Sequence, residues 1–333
     1  MTDLVRCAET RRLASRAGAI VAAAIAFSAV TAISAPHAAH AYCRTTTTPV
    51  PASYSPTRGC FTDGLVLFWR GACVGYSVNK AASAGISITT ATSVVDSAFT
   101  TWNHAACGAG EEVGIITSNL GAVDCSEVKY NPNGPNQNVI VFRDDKWPYS
   151  DPNNTLGLTT VTFNADTGEI YDADMEINAT GKNLSTATVV PANGFDLLSV
   201  ITHEAGHFLG LAHATDSRST MFASYKPGTS SLRSLAADDI AGLCEIYPSA
   251  KERTVDKTVA ATGTITADVC DATPRHGFGT GCIENPAPAD QTSQGGCAVA
   301  SSENADVSGS GLVIALGALG LVVASRRRRC RTV

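Results

Sequence analysis

The stretch His203-Glu204-Ala205-Gly206-His207-Phe208-Leu209-Gly210-Leu211-Ala212-His213 decides how this chain is read. On a helix, side chains four residues apart share a face, so His203 and His207 aim two imidazoles at one point. Glu204 sits one residue round from His203, near enough to serve an attacking water without ligating a metal. Gly210 falls where a helix can stop, because glycine accepts the left-handed conformation. The chain then turns back and brings in His213 as a third nitrogen ligand. Three protein ligands leave one position of a tetrahedral zinc open, which is the arrangement of a catalytic zinc. Histidines on helices are usually surface or core residues, but here three of the seven in the chain fall in one spacing. The pattern points to a zinc hydrolase.

Eleven cysteines suit an oxidising compartment. The formal net charge of −6 conceals an asymmetry, because both ends are arginine-rich and the body between them is acidic. That balance argues against a nucleic-acid partner and suits either a solvated acidic surface or bound calcium. Arg6, Arg11, Arg12 and Arg16 precede the uncharged Ala/Val/Ile run 17–33, and Ala39-His40-Ala41 offers a small-x-small processing site. Residues 1–41 therefore read as an export signal.

Residues 42–64, rich in Thr, Pro and Ser, read as an irregular segment tied down through Cys43 and Cys60. Strands are expected at 65–69 and 73–78. A helix is expected over 89–106, capped by Thr89, Thr90 or Thr92, with Val94, Val95, Ala98, Phe99 and Trp102 at helical spacing. Cys107 and Cys125 bracket a short strand at 115–117 and are placed to pair. Residues 131–138 form a loop before the apolar strand 139–142. The segments 155–163 and 169–178 read as a β-hairpin turning at 164–168. In its second arm Asp172, Asp174 and Glu176 alternate, so their carboxylates share one face, either a solvent face or a calcium site. The zinc helix is expected over 193–211 with Asn193 or Asp196 as cap, and a last helix over 235–247 ended by Pro248.

These segments, in this order, resemble the matrixin branch of the metzincin proteases. Besides the zinc motif, Met221 follows His213 by eight residues, where that family places its Met-turn methionine, and Met221-Phe222-Ala223-Ser224-Tyr225 is similar to the turn sequence itself. Residues 235–247 resemble the closing helix. The likeness covers roughly 65–250 and implies a mixed α/β (α+β) domain: a twisted, mostly parallel sheet, an active-site helix, a Met-turn and a C-terminal helix. It implies an endopeptidase with one zinc on His203, His207 and His213, Glu204 as general base, and Met221 as an apolar floor. Tyr225 would line the pocket beyond the cleaved bond. The strand around Leu156, Gly157 and Leu158 is similar to the edge strand that pairs with an extended protein or peptide substrate. Ala214 departs from the usual Ser or Thr. No His lies between His104 and His203, so a second zinc is not expected. The family's latency motif is missing, and the six cysteines of the body can all pair, leaving no thiol for a switch.

Residues 251–306 read as a low-complexity linker or stalk. Residues 307–325 carry no charge and run into Arg326-Arg327-Arg328-Arg329, a marginal membrane segment with a basic flank. Gly295-Gly296-Cys297, the spacer, the apolar run and the arginines also resemble the C-terminal sorting signal of myxobacterial surface proteins. The expectation is an exported protein, surface-held or secreted, touching the membrane only through this tail. Two other readings stand beside the peptidase: a surface adhesin on a protease scaffold, and a zinc hydrolase of non-peptide substrates.

Overall fold

The computed structural model describes residues 42–282 apart from 52, 109 and 268, together with residues 292–295 and 298–299. The export signal, residues 307–333 with the arginine cluster, and Cys297 lie outside the described residues.

Along the chain the strands are β1 (Cys43–Arg44), β2 (Cys73–Asn79), β3 (Ile116–Val123), β4 (Val139–Arg143), β5 (Gly157–Phe163), β6 (Ile170–Asn178), β7 (Leu184–Ser185) and β8 (Phe195–Asp196). After the zinc motif come β9 (Leu211–Ala212), β10 (Ser224–Tyr225), β11 (Glu252–Thr254), β12 (Thr264–Thr266), β13 (Thr292–Gly295) and β14 (Ala298–Val299). The α-helices are α1 (Ile88–Asn103), α2 (Leu197–Phe208) and α3 (Ala237–Ile246).

The central sheet has the order β13-β5-β6-β4-β2-β3. Strands β3, β2, β4 and β6 pair in parallel, and β5 returns antiparallel to β6. This is the mixed, mostly parallel sheet that the sequence implied. Helix α1 starts at Ser87, whose hydroxyl accepts from the Thr90 amide at 3.2 Å, and not at a threonine. It buries Ala91, Val95, Ala98, Phe99 and Trp102, the three-and-four spacing of one apolar face. The expected strand at 65–69 is reduced to isolated bridges, Val66 with Thr46 and Phe68 with Glu169.

The disulfides are Cys43–Cys60, Cys73–Cys270, Cys107–Cys244 and Cys125–Cys282. The expected Cys107–Cys125 pair is therefore corrected, and the cysteines of the body do not pair only among themselves. The expected linker is corrected as well, since two of these bonds staple it to the sheet. It also carries the fully buried Arg253, whose guanidinium donates to the carbonyls of Trp69, Gly71 and Gly114 and lies 4.8 Å from the Tyr247 ring. These carbonyls, that of Glu252 (3.3 Å) and an aromatic face satisfy that buried cation without a carboxylate.

Candidate active site

Helix α2 is buried almost throughout and is held at both ends. At its start Asp196 accepts from the Ser199 amide (2.9 Å) and is clamped by Arg233 (2.6 Å). At its end, carbonyls that would otherwise be orphaned accept from side chains. Trp69 Nε1 donates to Phe208 (2.8 Å), and the Tyr247 hydroxyl donates to Leu209 (2.8 Å). Gly210, at φ +94°, then reverses the chain into β9, where an added Cβ would stand 3.0 Å from the Leu67 carbonyl. Segment β9 pairs with β1, so the N-terminal segment braces the return that carries His213.

The three histidines meet as their spacing requires. Ring centroids lie 4.9, 5.2 and 4.8 Å apart, and among the described residues theirs is the group of three metal-ligating side chains whose ligand atoms all fall within 4.8 Å. His203 Nδ1 donates to the Thr220 carbonyl (2.6 Å) and His207 Nδ1 to the Leu211 carbonyl (2.9 Å). A carbonyl cannot donate, so each ring carries its proton on Nδ1 and turns the Nε2 lone pair inward. His203 Nε2 is buried without a hydrogen-bond partner, and His207 Nε2 lies 3.2 Å from His213 Nε2. Burial first, then the charge of His213, pushes His203 down to about 3 and lowers His207 as well. Converging ring nitrogens, with the buried Nε2 of His203 left without a hydrogen-bond partner, fit a zinc ion.

Glu204 is fully buried on the next position of the helix. Its Oε2 accepts from Thr159 Oγ1 on β5 at 2.8 Å. Gly157 also comes from β5, and a Cβ there would fall 2.6 Å from Glu204 Oε1. Strand β5 thus runs so close to the carboxylate that only glycine fits. Leu156, expected at the substrate pocket, is instead fully buried in the main apolar core, while Leu158 is partly exposed. Gly206 is the second close approach, with a virtual Cβ 2.2 Å from Met221 Sδ and 2.9 Å from Trp102. That contact puts buried Met221 directly under the zinc helix. Tyr225 is buried, and its hydroxyl is used inside the protein, donating to the Thr229 carbonyl and accepting from the Asp196 amide.

One residue was missed by sequence reasoning. Asp239, in the first turn of α3, is fully buried and accepts from Ser219 Oγ, the amides of Thr220 (2.8 Å) and Met221 (3.1 Å), and the Ala236 amide (2.8 Å). It fixes the Met-turn and, through the Thr220 carbonyl, the orientation of His203. In the sequence it is only an acidic residue at a helix start, which reads as dipole compensation.

The row Asp172, Asp174, Glu176 shares a face, but that face is buried, which corrects the solvent-face alternative. Glu176 accepts from Arg143 Nε (2.6 Å) and from the Tyr149 hydroxyl. Asp174 accepts from the Val139 amide at 2.8 Å. Burial pushes Asp172 up to about 7, and burial together with the charge of Asp172 raises Asp174 well above the ordinary carboxylate range.

Residues 68–248 match the family model described as Matrixin. Similar curated proteins include Metalloendoproteinase 1 of Glycine max, 38% identical over 31% of this chain and 32% of that protein. Matrilysin of Rattus norvegicus is 33% identical over 31% of this chain and 35% of its own length. Matrix metalloproteinase-20 of Homo sapiens is 32% identical over 38% and 25%. The chain spans about a third of the length of the curated relatives it matches.

Proposed function

Because the chain belongs to the matrixin family, we propose that it is an exported zinc endopeptidase that hydrolyses protein or peptide substrates with Glu204 as general base. The observation that carries this reading is the pairing of an inward-facing His203-His207-His213 set with a buried carboxylate on the same helix, beside strand β5. The three Nε2 atoms would hold the zinc, whose chemistry there is Lewis acidity: a lowered pKa for water and a polarised carbonyl. Glu204 takes the proton of the attacking water and delivers it to the leaving amine. Thr159, donating to Glu204 Oε2, keeps one carboxylate oxygen engaged and so aims the other. An extended substrate would pair with the backbone of β5 in place of β13, which would favour unfolded or loop segments.

The disulfides support export, because they form and persist in oxidising compartments. Retention at the cell surface through the tail is part of the same proposal. The adhesin alternative has no use for a buried, aimed carboxylate beside three open ligands. The test is hydrolysis of a peptide library, with new termini identified by mass spectrometry. Hydrolysis that stops with a zinc chelator and returns with added zinc supports the reading. Binding without cleavage under every metal condition would favour the adhesin.

A further inference from the structure

Without the tail, β5 would be the edge of the central sheet, presenting unpaired amides and carbonyls beside Glu204. It is not left open. Strand β13 pairs with it antiparallel, from Thr292 opposite Thr162 to Gly295 opposite Thr159. Three residues further on, β14 runs parallel to β10, with Ala298 opposite Ser224 and Val299 opposite Tyr225. The tail is therefore paired first with β5 and then, three residues later in sequence, with β10.

The ground between those two segments is the catalytic face. Thr159, the last partner of β13, is the residue that donates to Glu204. Segment β10 follows the loop whose Thr220 carbonyl holds His203. Gly295 opposite Thr159 and Ala298 opposite Ser224 are three residues apart in the sequence, a reach of at most about 10 Å, so the β5 and β10 pairings lie within that distance of one another. The run Thr292-Ser293-Gln294-Gly295-Gly296-Cys297-Ala298-Val299 is made of small and uncharged residues, with two adjacent glycines, and so suits close backbone contact.

The Cys125–Cys282 disulfide holds the chain to the body just upstream of this run. A linkage this short in sequence gives an effective concentration in about the millimolar range, at or above the usual span of KM values, about 1 μM to 1 mM. A free substrate would have to displace the run from both strands.

We propose that β13 and β14 (292–295 and 298–299) act as an intramolecular inhibitor, which takes up β5 and β10 by strand pairing and keeps the enzyme latent until they are released. This rests on the peptidase reading above. Loss of the pairing, by cutting the chain between Cys282 and Thr292 or by withdrawing the tail, would open β5 and β10 together.

The test uses the full chain carrying Ser293→Pro and Gln294→Pro, with Cys297 kept. Alternate residues of an antiparallel strand donate across the ladder, so two adjacent prolines remove at least one amide that β5 needs. The zinc-loaded variant is expected to hydrolyse a peptide library at least ten-fold faster than wild type. Amide exchange at 159–162, measured in a Glu204→Gln background, is expected to be slow with the native tail and faster with the prolines. No change in rate or in exchange overturns the proposal. So does self-cleavage of purified wild type between 295 and 298, which would make the segment a substrate. If Cys297→Ser activates while the prolines do nothing, a thiol and not strand pairing holds the site, and the proposal falls. Faster exchange with no hydrolysis by any form would sink the peptidase reading alone and leave the occupancy of the cleft supported.

Discussion

Asp239→Ala tests how the zinc site is supported from outside its ligands. The carboxylate collects three backbone amides and one hydroxyl in a fully buried position. Its loss leaves the buried Ser219 hydroxyl and Thr220 amide and the partly buried Ala236 amide without this acceptor, each costing roughly 1–3 kcal/mol before relaxation, while the Met221 amide keeps Ser219 Oγ at 3.0 Å. Partial rearrangement and entering water reduce the sum, so the expected destabilisation is about 3–5 kcal/mol, the range for breaking a buried charged network. The loop carrying Thr220 should shift with it, and His203 loses the carbonyl that fixes its ring. Support of this kind is worth about 10–100-fold in metal affinity. Urea unfolding gives the first quantity and competition with a chelator of known zinc affinity gives the second. Asp239→Asn, which keeps the volume and one acceptor, should fall between wild type and alanine on both. Destabilisation under about 1 kcal/mol with unchanged zinc affinity would refute the argument.

Two further outcomes follow from close contacts and burial. Gly157→Ala places a methyl 2.6 Å from Glu204 Oε1 and must displace the carboxylate; kcat should drop by about 10²-fold while zinc content and melting temperature stay near wild type, and an unchanged kcat would show that the carboxylate adapts freely. Asp172, pushed up to about 7 by burial, takes up its proton at a higher pH in the fold than in the unfolded chain. The stability this allows is fully present below the unfolded carboxylate value near 4 and is lost as pH rises through about 7. The melting temperature of Asp172→Asn should therefore gain on wild type between those limits. Millimolar calcium should not cancel the gain if the row holds a proton, and cancellation would identify it as a cation site.

The parts legible from sequence were those that short-range periodicity encodes. The spacing of His203, His207 and Gly210 set the helix, its end and the metal ligands, because helical geometry alone brings them together. The hairpin of β5 and β6 was legible for the same reason, with polar turn residues between two alternating arms. The row at 172–176 was assigned correctly to one face, but whether that face meets water depends on Arg143, Tyr149 and Val139, which come from distant chain. Disulfide partners such as Cys73 and Cys270 are separated by nearly the whole domain, and spacing does not encode them. Residues 251–282 hide their structure for a related reason: their Ala/Thr/Ser composition has no period, and what holds them is two disulfides and Arg253 donating to four carbonyls. Asp239 was hidden because its partners are backbone amides, which carry no sequence signal.

The central claim is zinc-dependent peptide hydrolysis with Glu204 as the proton carrier. Its most direct test compares wild type with Glu204→Gln, each with the native tail and with the two tail prolines, after the zinc content of each has been measured. The account predicts one zinc per chain in all four proteins and a kcat lower by roughly 10²–10⁴-fold wherever Glu204 is replaced. Equal kcat with and without the carboxylate, at equal zinc content, would contradict it.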